Sequence, residues 1–290
     1  MAIQRFMQVG SLDDALQELS VHKEQALLIA GGTDVMPALR SGLYAQKQMV
    51  IDLSPLAGKL GNIRHEEDML HIGPLVTHSR IMEDPVIREF LPILAQASAH
   101  VGSPQIRNRG TIGGNIITLA ACADTVVPLL ALDAQLVFAR VGGVRCVPMA
   151  SYLDEGETRF DASNEILTDI MIPLPNSNRQ GMFLKIARRQ AAAKSRMSVA
   201  VLTTIAGHRI TDARVVVGAL MPWPRRVGEA ERYMMGKAIG EVDPMKVGAL
   251  AAELAITVTG QRRSFAYKIP VVQELMRRAV TRVLGTQGEA

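Results

Sequence analysis

An α+β fold is what this 290-residue sequence predicts, and three features predict it. Helical and strand-like patterns alternate through the first half. A proline-rich break follows at Pro173-Leu174-Pro175. Beyond it, three strand-like runs lead into a stretch of helical periodicity. The length suits about two domains, each large enough to bury a core. We expect a first domain over residues 1–175, itself split into parts of about 1–55 and 56–175, and a second over 176–290.

Each element has a local reason. Ser11-Leu12-Asp13-Asp14 has capping-box spacing, with Asp where Glu or Gln is usual, and Leu12, Ala15, Leu16 and Leu19 then share one helical face. Residues 26–30 read as a short buried strand. A helical turn and a second strand at 48–53 complete a β-α-β unit ending near Pro55. A strand is expected at Met69–Ile72, and Thr77 caps a helix carrying Ile81 and Met82. One helix is expected over residues 85–99 and a buried helical segment over 128–132. Gly142-Gly143, between apolar runs at 135–139 and 144–147, signals a hairpin. Residues 165–172 alternate as a strand. Strands at 183–187, 198–206 and 213–220 follow, then helices at 228–235, 245–257 and 268–284.

Composition removes several functions. The net charge is +4, but the basic residues are dispersed among only four Tyr, six Phe and one Trp, which argues against nucleic acid as a partner. No run of about 18 apolar residues is free of charges or breakers, so no membrane span is expected. Cys122 and Cys146 are the only cysteines. An iron–sulfur cluster normally takes four protein ligands, so any such centre is expected in a partner chain, and no metal site is expected in this one. The absence of a signal-type start and the sparse cysteines point to the cytoplasm.

Two glycine pairs carry the chemistry. Ala30-Gly31-Gly32-Thr33-Asp34 follows the apolar run Leu27-Leu28-Ile29, and Thr111-Ile112-Gly113-Gly114-Asn115 follows Arg107-Asn108-Arg109-Gly110. Glycine permits positive φ and close approach of backbone to a ligand, and successive amides in such turns form anion-binding nests. Two such loops can hold one pyrophosphate between them. Either loop alone also reads as a tight turn, with Thr33 or Asp34 capping the helix entered at Met36-Pro37.

With Gln105-Ile106-Arg107-Asn108-Arg109-Gly110 before the second pair, Ala123-Asp124, Glu165-Ile166-Leu167 leading to Ile172-Pro173, and Phe183-Leu184-Lys185 with Arg188-Arg189, the sequence resembles the FAD-binding medium subunits of molybdenum hydroxylases of the xanthine dehydrogenase and carbon monoxide dehydrogenase type. The resemblance covers nearly the whole chain. It implies a flavin domain of two α+β subdomains, of the vanillyl-alcohol-oxidase-like (PCMH) type, and a C-terminal domain with a three-stranded antiparallel sheet and helices. It implies noncovalent FAD between the two subdomains, its phosphates cradled by backbone from Ala30 to Asp34 and from Gly110 to Asn115. The residues so assigned are Leu28, Ile29, Ala30, Gly31, Gly32, Thr33 and Asp34 from the first loop, and Gly110, Thr111, Gly114 and Asn115 from the second. Val101, Gly102 and Ile106 are apolar walls, and Leu167 covers part of the ligand. Asp124 holds a ribose hydroxyl or the second loop, unless it is simply a helix N-cap before Val126. Lys185 lies near the flavin or its adenylate end, unless it is an ordinary surface position on a strand.

The same resemblance implies an oxidoreductase subunit without a catalytic acid or base of its own. Electrons reach FAD from [2Fe–2S] clusters in a small partner chain, after hydroxylation of substrate at molybdopterin in a large one. They leave to NAD or another acceptor, and the expected assembly is a dimer of heterotrimers. A stand-alone flavin oxidase and a non-enzymatic nucleotide-binding assembly module are the competing readings. The cysteine-rich loop of relatives that reduce aromatic acyl-CoA thioesters is missing, which favours a purine or N-heterocycle hydroxylase.

Overall fold

A computed structural model describes residues 3–154, 160–174, 179–187 and 194–285. Pro175 and the basic pair Arg188-Arg189 lie outside the described residues. The chain forms two compact units, each discontinuous in sequence: Met1–Ile81 with Pro104–Thr118 and Asp133–Pro173, and Met82–Ser103 with Leu119–Leu132 and Leu174–Ala290.

The first unit holds two sheets. One is parallel, with strands Arg5–Gln8, Met49–Asp52 and Ala26–Ile29 side by side in that order. The helix Leu12–His22 covers it with Ala15, Leu16 and Leu19, the stripe expected from the periodicity, and Ser11 caps that helix by accepting from the Asp14 amide at 3.1 Å. These side chains share one core with Met49, Ile51 and Ala26. The N-terminal strand was not anticipated, because four residues of which three are exposed carry no burial pattern.

The other sheet is antiparallel, in the order Ile63–Glu66, Met69–Ile72, Ile166–Pro173, Gln135–Arg140 and Gly143–Pro148. The hairpin turns at Gly142, whose φ of +85° suits glycine. At one end of this sheet Arg145 pairs with the buried Glu165 through Nε to Oε1 at 2.6 Å and Nη2 to Oε2 at 2.7 Å.

The second unit is built on an antiparallel sheet of Arg179–Ala187, Ser195–Ala206 and Arg209–Gly218. These are the three expected strands, and the two-residue strand Arg225–Arg226 extends the edge beyond Arg209–Gly218. Helices Pro244–Thr259 and Phe265–Gly285 bury Val247, Ala251, Val272, Met276 and Val280 in the core that this sheet forms.

One expected element is divided. The helix foreseen over 85–99 is two, Pro85–Phe90 and Pro92–Ala99, separated by Leu91 with φ −129° and ψ 50°. Pro92 has no amide to give and disfavours helical geometry in the residue before it, so the chain restarts with proline in the first turn of a new helix. Asp84 caps the first piece by accepting from the amides of Val86 and Ile87. Both pieces, with the buried helix Val126–Ala131, belong to the second unit rather than to the one that holds most of residues 1–173.

Candidate functional site

The two glycine loops meet inside the first unit. The strand Ala26–Ile29 ends at Ala30, and Gly31 to Asp34 lead into the helix Val35–Arg40. Gly32 takes φ +73°, a left-handed conformation that side-chain-bearing residues rarely adopt. A Cβ on Gly31 would overlap the carbonyl oxygen of Arg109 and stand 2.7 Å from its carbon. The backbone of the second loop therefore occupies the place of a side chain on the first. Gly110 lies beside Thr33, whose Oγ1 is 3.4 Å from where a Cβ on Gly110 would be.

The loops differ in what they can donate. In the second, the Gly110 amide bonds to the Ile106 carbonyl at 2.6 Å and the Ile112 amide to Val76 at 3.0 Å. The Gly113 amide bonds to Pro74 at 2.9 Å, that of Gly114 to Thr111 Oγ1 at 3.1 Å, and that of Asn115 to the Thr111 carbonyl at 3.0 Å. These donors are spent on holding the loop to Pro74 and Val76 and to the loop's own segment, and only the Thr111 amide is left without an acceptor among the described residues. In the first loop, the amides of Gly31, Gly32, Thr33 and Asp34 have no acceptor among the described residues. Asp34 stands at the N-cap of the following helix, but its carboxylate makes no capping hydrogen bond. Four consecutive free amides, three of them on half-buried residues, suit an anion. So the expected cradle is asymmetric: the first loop offers four donors, and the second offers shape and the Thr111 amide.

His78 was not anticipated. Its amide donates to the Gly110 carbonyl at 3.1 Å, next to the bridge between Thr77 and Thr111. Its side chain is 2% exposed, and Nδ1 is sealed from solvent with no hydrogen-bond partner. Burial, with help from the nearby Arg107 charge, depresses the imidazole to about 4, so the ring is neutral at pH 7. Thr77 was legible as a cap, and its Oγ1 does accept from the Arg80 amide at 3.3 Å. The histidine beside it gave no pattern of its own.

Of the remaining assigned residues in this unit, Leu167 is buried opposite Phe138 in the antiparallel sheet. Ile106 is an exposed position on the helix Pro104–Arg109. Leu28 and Ile29 are the last residues of the strand before the first loop.

The second unit contains Val101, Gly102, Asp124 and Lys185. Lys185, near the C-terminal end of the strand Arg179–Ala187, donates from Nζ to Asp124 Oδ2 and to the His100 carbonyl, both at 2.7 Å. Its side chain is only 9% exposed, so it is not an ordinary surface lysine. Ser195 donates its hydroxyl to the other Asp124 oxygen. Burial pushes the Asp124 carboxyl up, and Lys185 opposes that shift. Asp124 does not cap the helix Val126–Ala131, whose N-cap is Thr125. Val101 and Gly102 follow the turn made by the Val101 amide on Ser98, with Gly102 at φ +46°.

These local features coincide with a family. Residues 2–175 match the model described as the FAD binding domain in molybdopterin dehydrogenase, and residues 182–283 match that of the CO dehydrogenase flavoprotein C-terminal domain. The chain belongs to the flavoprotein medium subunits of the molybdenum hydroxylases. Among similar members, the nicotine 6-hydroxylase medium subunit of Paenarthrobacter nicotinovorans is 32% identical, over 95% of each chain. The nicotinate dehydrogenase FAD-subunit of Eubacterium barkeri is also 32% identical, over 96% of this chain and 95% of that one. Quinoline 2-oxidoreductase from Pseudomonas putida 86 contains a chain of the same fold, with a TM-score of 0.86 and 27% identity over 99% of this chain and 98% of that one. As a flavoprotein medium subunit this chain is a component of an oxidoreductase. Among the described residues, no helix is long and apolar enough to cross a membrane.

Two outcomes follow from the buried groups. Lys185→Met leaves the Asp124 carboxylate buried without its cation, which costs about 3–5 kcal/mol in urea unfolding, and adding Asp124→Asn recovers part of that loss. His78 binds its proton less well in the folded chain than in the unfolded one. Its contribution is therefore fully present above pH about 6.5 and is lost as pH falls toward 4. The flavin-free chain should lose on the order of 3 kcal/mol across that window through this group. His78→Phe should flatten that part of the urea-midpoint profile, and an unchanged profile would contradict the assignment.

Proposed function

We propose that this medium subunit is the flavin-carrying electron relay of a molybdenum hydroxylase. It takes electrons from [2Fe–2S] clusters in a small partner chain and delivers them to NAD or another acceptor. A large molybdopterin chain hydroxylates the substrate, and the complex is a cytoplasmic dimer of heterotrimers. The observation that carries this reading is the run of free amides from Gly31 to Asp34, set against a second loop in which only the Thr111 amide is left without an acceptor among the described residues. That arrangement accepts a pyrophosphate and asks nothing of side-chain charge.

Bound FAD supplies one- and two-electron redox chemistry, and the protein supplies its binding and orientation. Gly31 to Asp34 donate to the phosphates, Gly114 and Thr111 bound the space opposite, and Leu28 and Ile29 position the first loop from the sheet. Asp124 and Lys185, a fixed, hydrogen-bonded pair within the second unit, are assigned by this reading to the ribose and adenylate end of the cofactor. Val101, Gly102, Ile106, Leu167 and Asn115 complete the assigned set. No residue of this chain is given an acid–base role. The division into a flavin domain over 1–175 and a C-terminal domain over 176–290 is part of the reading, supported by the extents of the two family matches. The names of the relatives at 32% identity, which act on nicotine and nicotinate, support an N-heterocycle as the substrate of the large chain.

Gly114 separates fold from ligand. A Cβ there meets only Thr111 Oγ1 at 3.1 Å, whereas one on Gly31 collides with backbone. Gly114→Ala should leave the unfolding free energy within about 1 kcal/mol, because alanine is the better helix former. It should nonetheless cut FAD retention several-fold. Gly31→Ala should lose the fold and the flavin together. Full flavin in the Gly114→Ala protein would misplace the cradle.

The relay itself is tested by anaerobic mixing. The isolated subunit should carry about one FAD per chain, released unmodified by acid, and its absorbance near 450 nm (roughly where oxidised flavins absorb) should not bleach with N-heterocycles or purines. Bleaching should require the molybdopterin and iron–sulfur chains. Rapid bleaching by the subunit alone would identify a stand-alone oxidase instead.

A further inference from the structure

We propose that His78 is a further positioning residue of the flavin site, donating a hydrogen bond from Nε2–H to the pyrophosphate held between the two glycine loops. This rests on the FAD-binding reading above. The histidine is tied to the second loop twice. Its amide holds the Gly110 carbonyl at 3.1 Å, and its ring carbon Cδ2 is 3.3 Å from where a Cβ on Gly110 would stand. Cδ2 is bonded to Nε2, so this edge of the imidazole is the one turned to the loop.

The tautomer follows from what surrounds the other nitrogen. Nδ1 is buried with neither donor nor acceptor in reach, and it is the one ring nitrogen of His78 that is both sealed and unpaired. A neutral imidazole carries one proton. Placing it on Nδ1 would bury an N–H with nothing to receive it. Placing it on Nε2 leaves at Nδ1 only an unmet lone pair and puts the donor on the edge facing Gly110. Arg107, within electrostatic reach, disfavours a second proton and keeps the ring neutral. The result is a fixed, uncharged donor next to Gly110, which itself lies beside Thr33 of the first loop. It would add a bond to the phosphate from the side where the second loop has a single spare backbone donor, the Thr111 amide.

Gln and Asn distinguish the two nitrogens, because the Gln amide mimics Nε2–H and the Asn amide falls nearer the position of Nδ1. FAD dissociation constants, measured by flavin fluorescence on the flavin-free full chain, should rise about tenfold in His78→Phe, which keeps the ring volume but no donor. His78→Gln should return to within about threefold of the original, and His78→Asn should remain as weak as the Phe protein. Phosphorus NMR of bound FAD should show the pyrophosphate signals displaced in His78→Phe and restored in His78→Gln. Nitrogen-15 shifts of the His78 ring should report the proton on Nε2 before FAD is added. Unchanged affinity in His78→Phe, a proton on Nδ1, or rescue by Asn but not Gln would overturn the assignment while leaving the FAD reading intact. An original chain that takes up no FAD would overturn both.

Discussion

The first unit turns on one place where backbone lies directly on backbone. A peptide group of the second glycine loop fills the space in which position 31 would otherwise carry a side chain. Everything that makes the region a site depends on that approach. The second loop could not press so closely unless it were held from behind. It is held by the His78 amide on the Gly110 carbonyl, the Ile112 amide on Val76 and the Gly113 amide on Pro74. Two of these bonds consume donors of the wall and the first uses its carbonyl, which is why most of the donors left for a ligand are on the opposite loop. The asymmetry is thus a consequence of mechanical support. A loop stitched to its scaffold through its amides has few left to offer, and the loop it braces can keep its own unpaired.

The second unit shows the same economy with charge. Asp124 is buried, and its carboxyl is pushed toward the neutral form by loss of water. It stays useful as a carboxylate only because Lys185 and Ser195 occupy its two oxygens. Lys185 in turn divides its donors between that carboxylate and the His100 carbonyl, so a single ammonium joins three separate segments of chain. A pair of this kind gains little net stability over apolar packing, since both ions lose water. What it gives is one geometry. The strand Arg179–Ala187 also receives Gln96 Oε1 at the Phe183 amide, which fixes its register against the helix Pro92–Ala99.

Much of this was legible in the sequence, and the divide between what was and was not is physical. Short-range patterns were readable: the stripe of Leu12, Ala15, Leu16 and Leu19, the Ser11 cap, the Gly142-Gly143 hairpin, and the glycine pairs with their flanking apolar strand. Pro92 was readable too, and a stricter use of proline's missing amide would have divided the 85–99 helix. The strand Arg5–Gln8 had no such signal, because its edge position leaves most of it exposed. The interleaving of helices from before and after the second loop into the other unit was also invisible, since it is set by which apolar faces meet and not by any boundary residue. Asp124 and Lys185 could each be singled out, but that they partner one another across 61 positions is tertiary information. His78 is the clearest loss. A lone histidine after a capping threonine carries no periodic or motif signal, and its interest comes only from the burial of Nδ1.

The positions that say most about function are those where the fold gives no reason for the residue present. Gly31 is explained by the protein itself, because its neighbour's backbone excludes anything larger. Gly32 is explained by its left-handed φ. Gly114 is explained by neither. It sits in a helix, where alanine would serve better, with open space beyond the Thr111 hydroxyl. The free amides of Gly31 to Thr33 are likewise unexplained by the chain alone, since half-buried backbone donors normally find acceptors. Both features become reasonable when a ligand with several acceptor oxygens passes close to Gly114 and receives those amides. The structural demands of the fold and the demands of the cofactor therefore fall on different residues of the same two motifs, so substitutions can separate them.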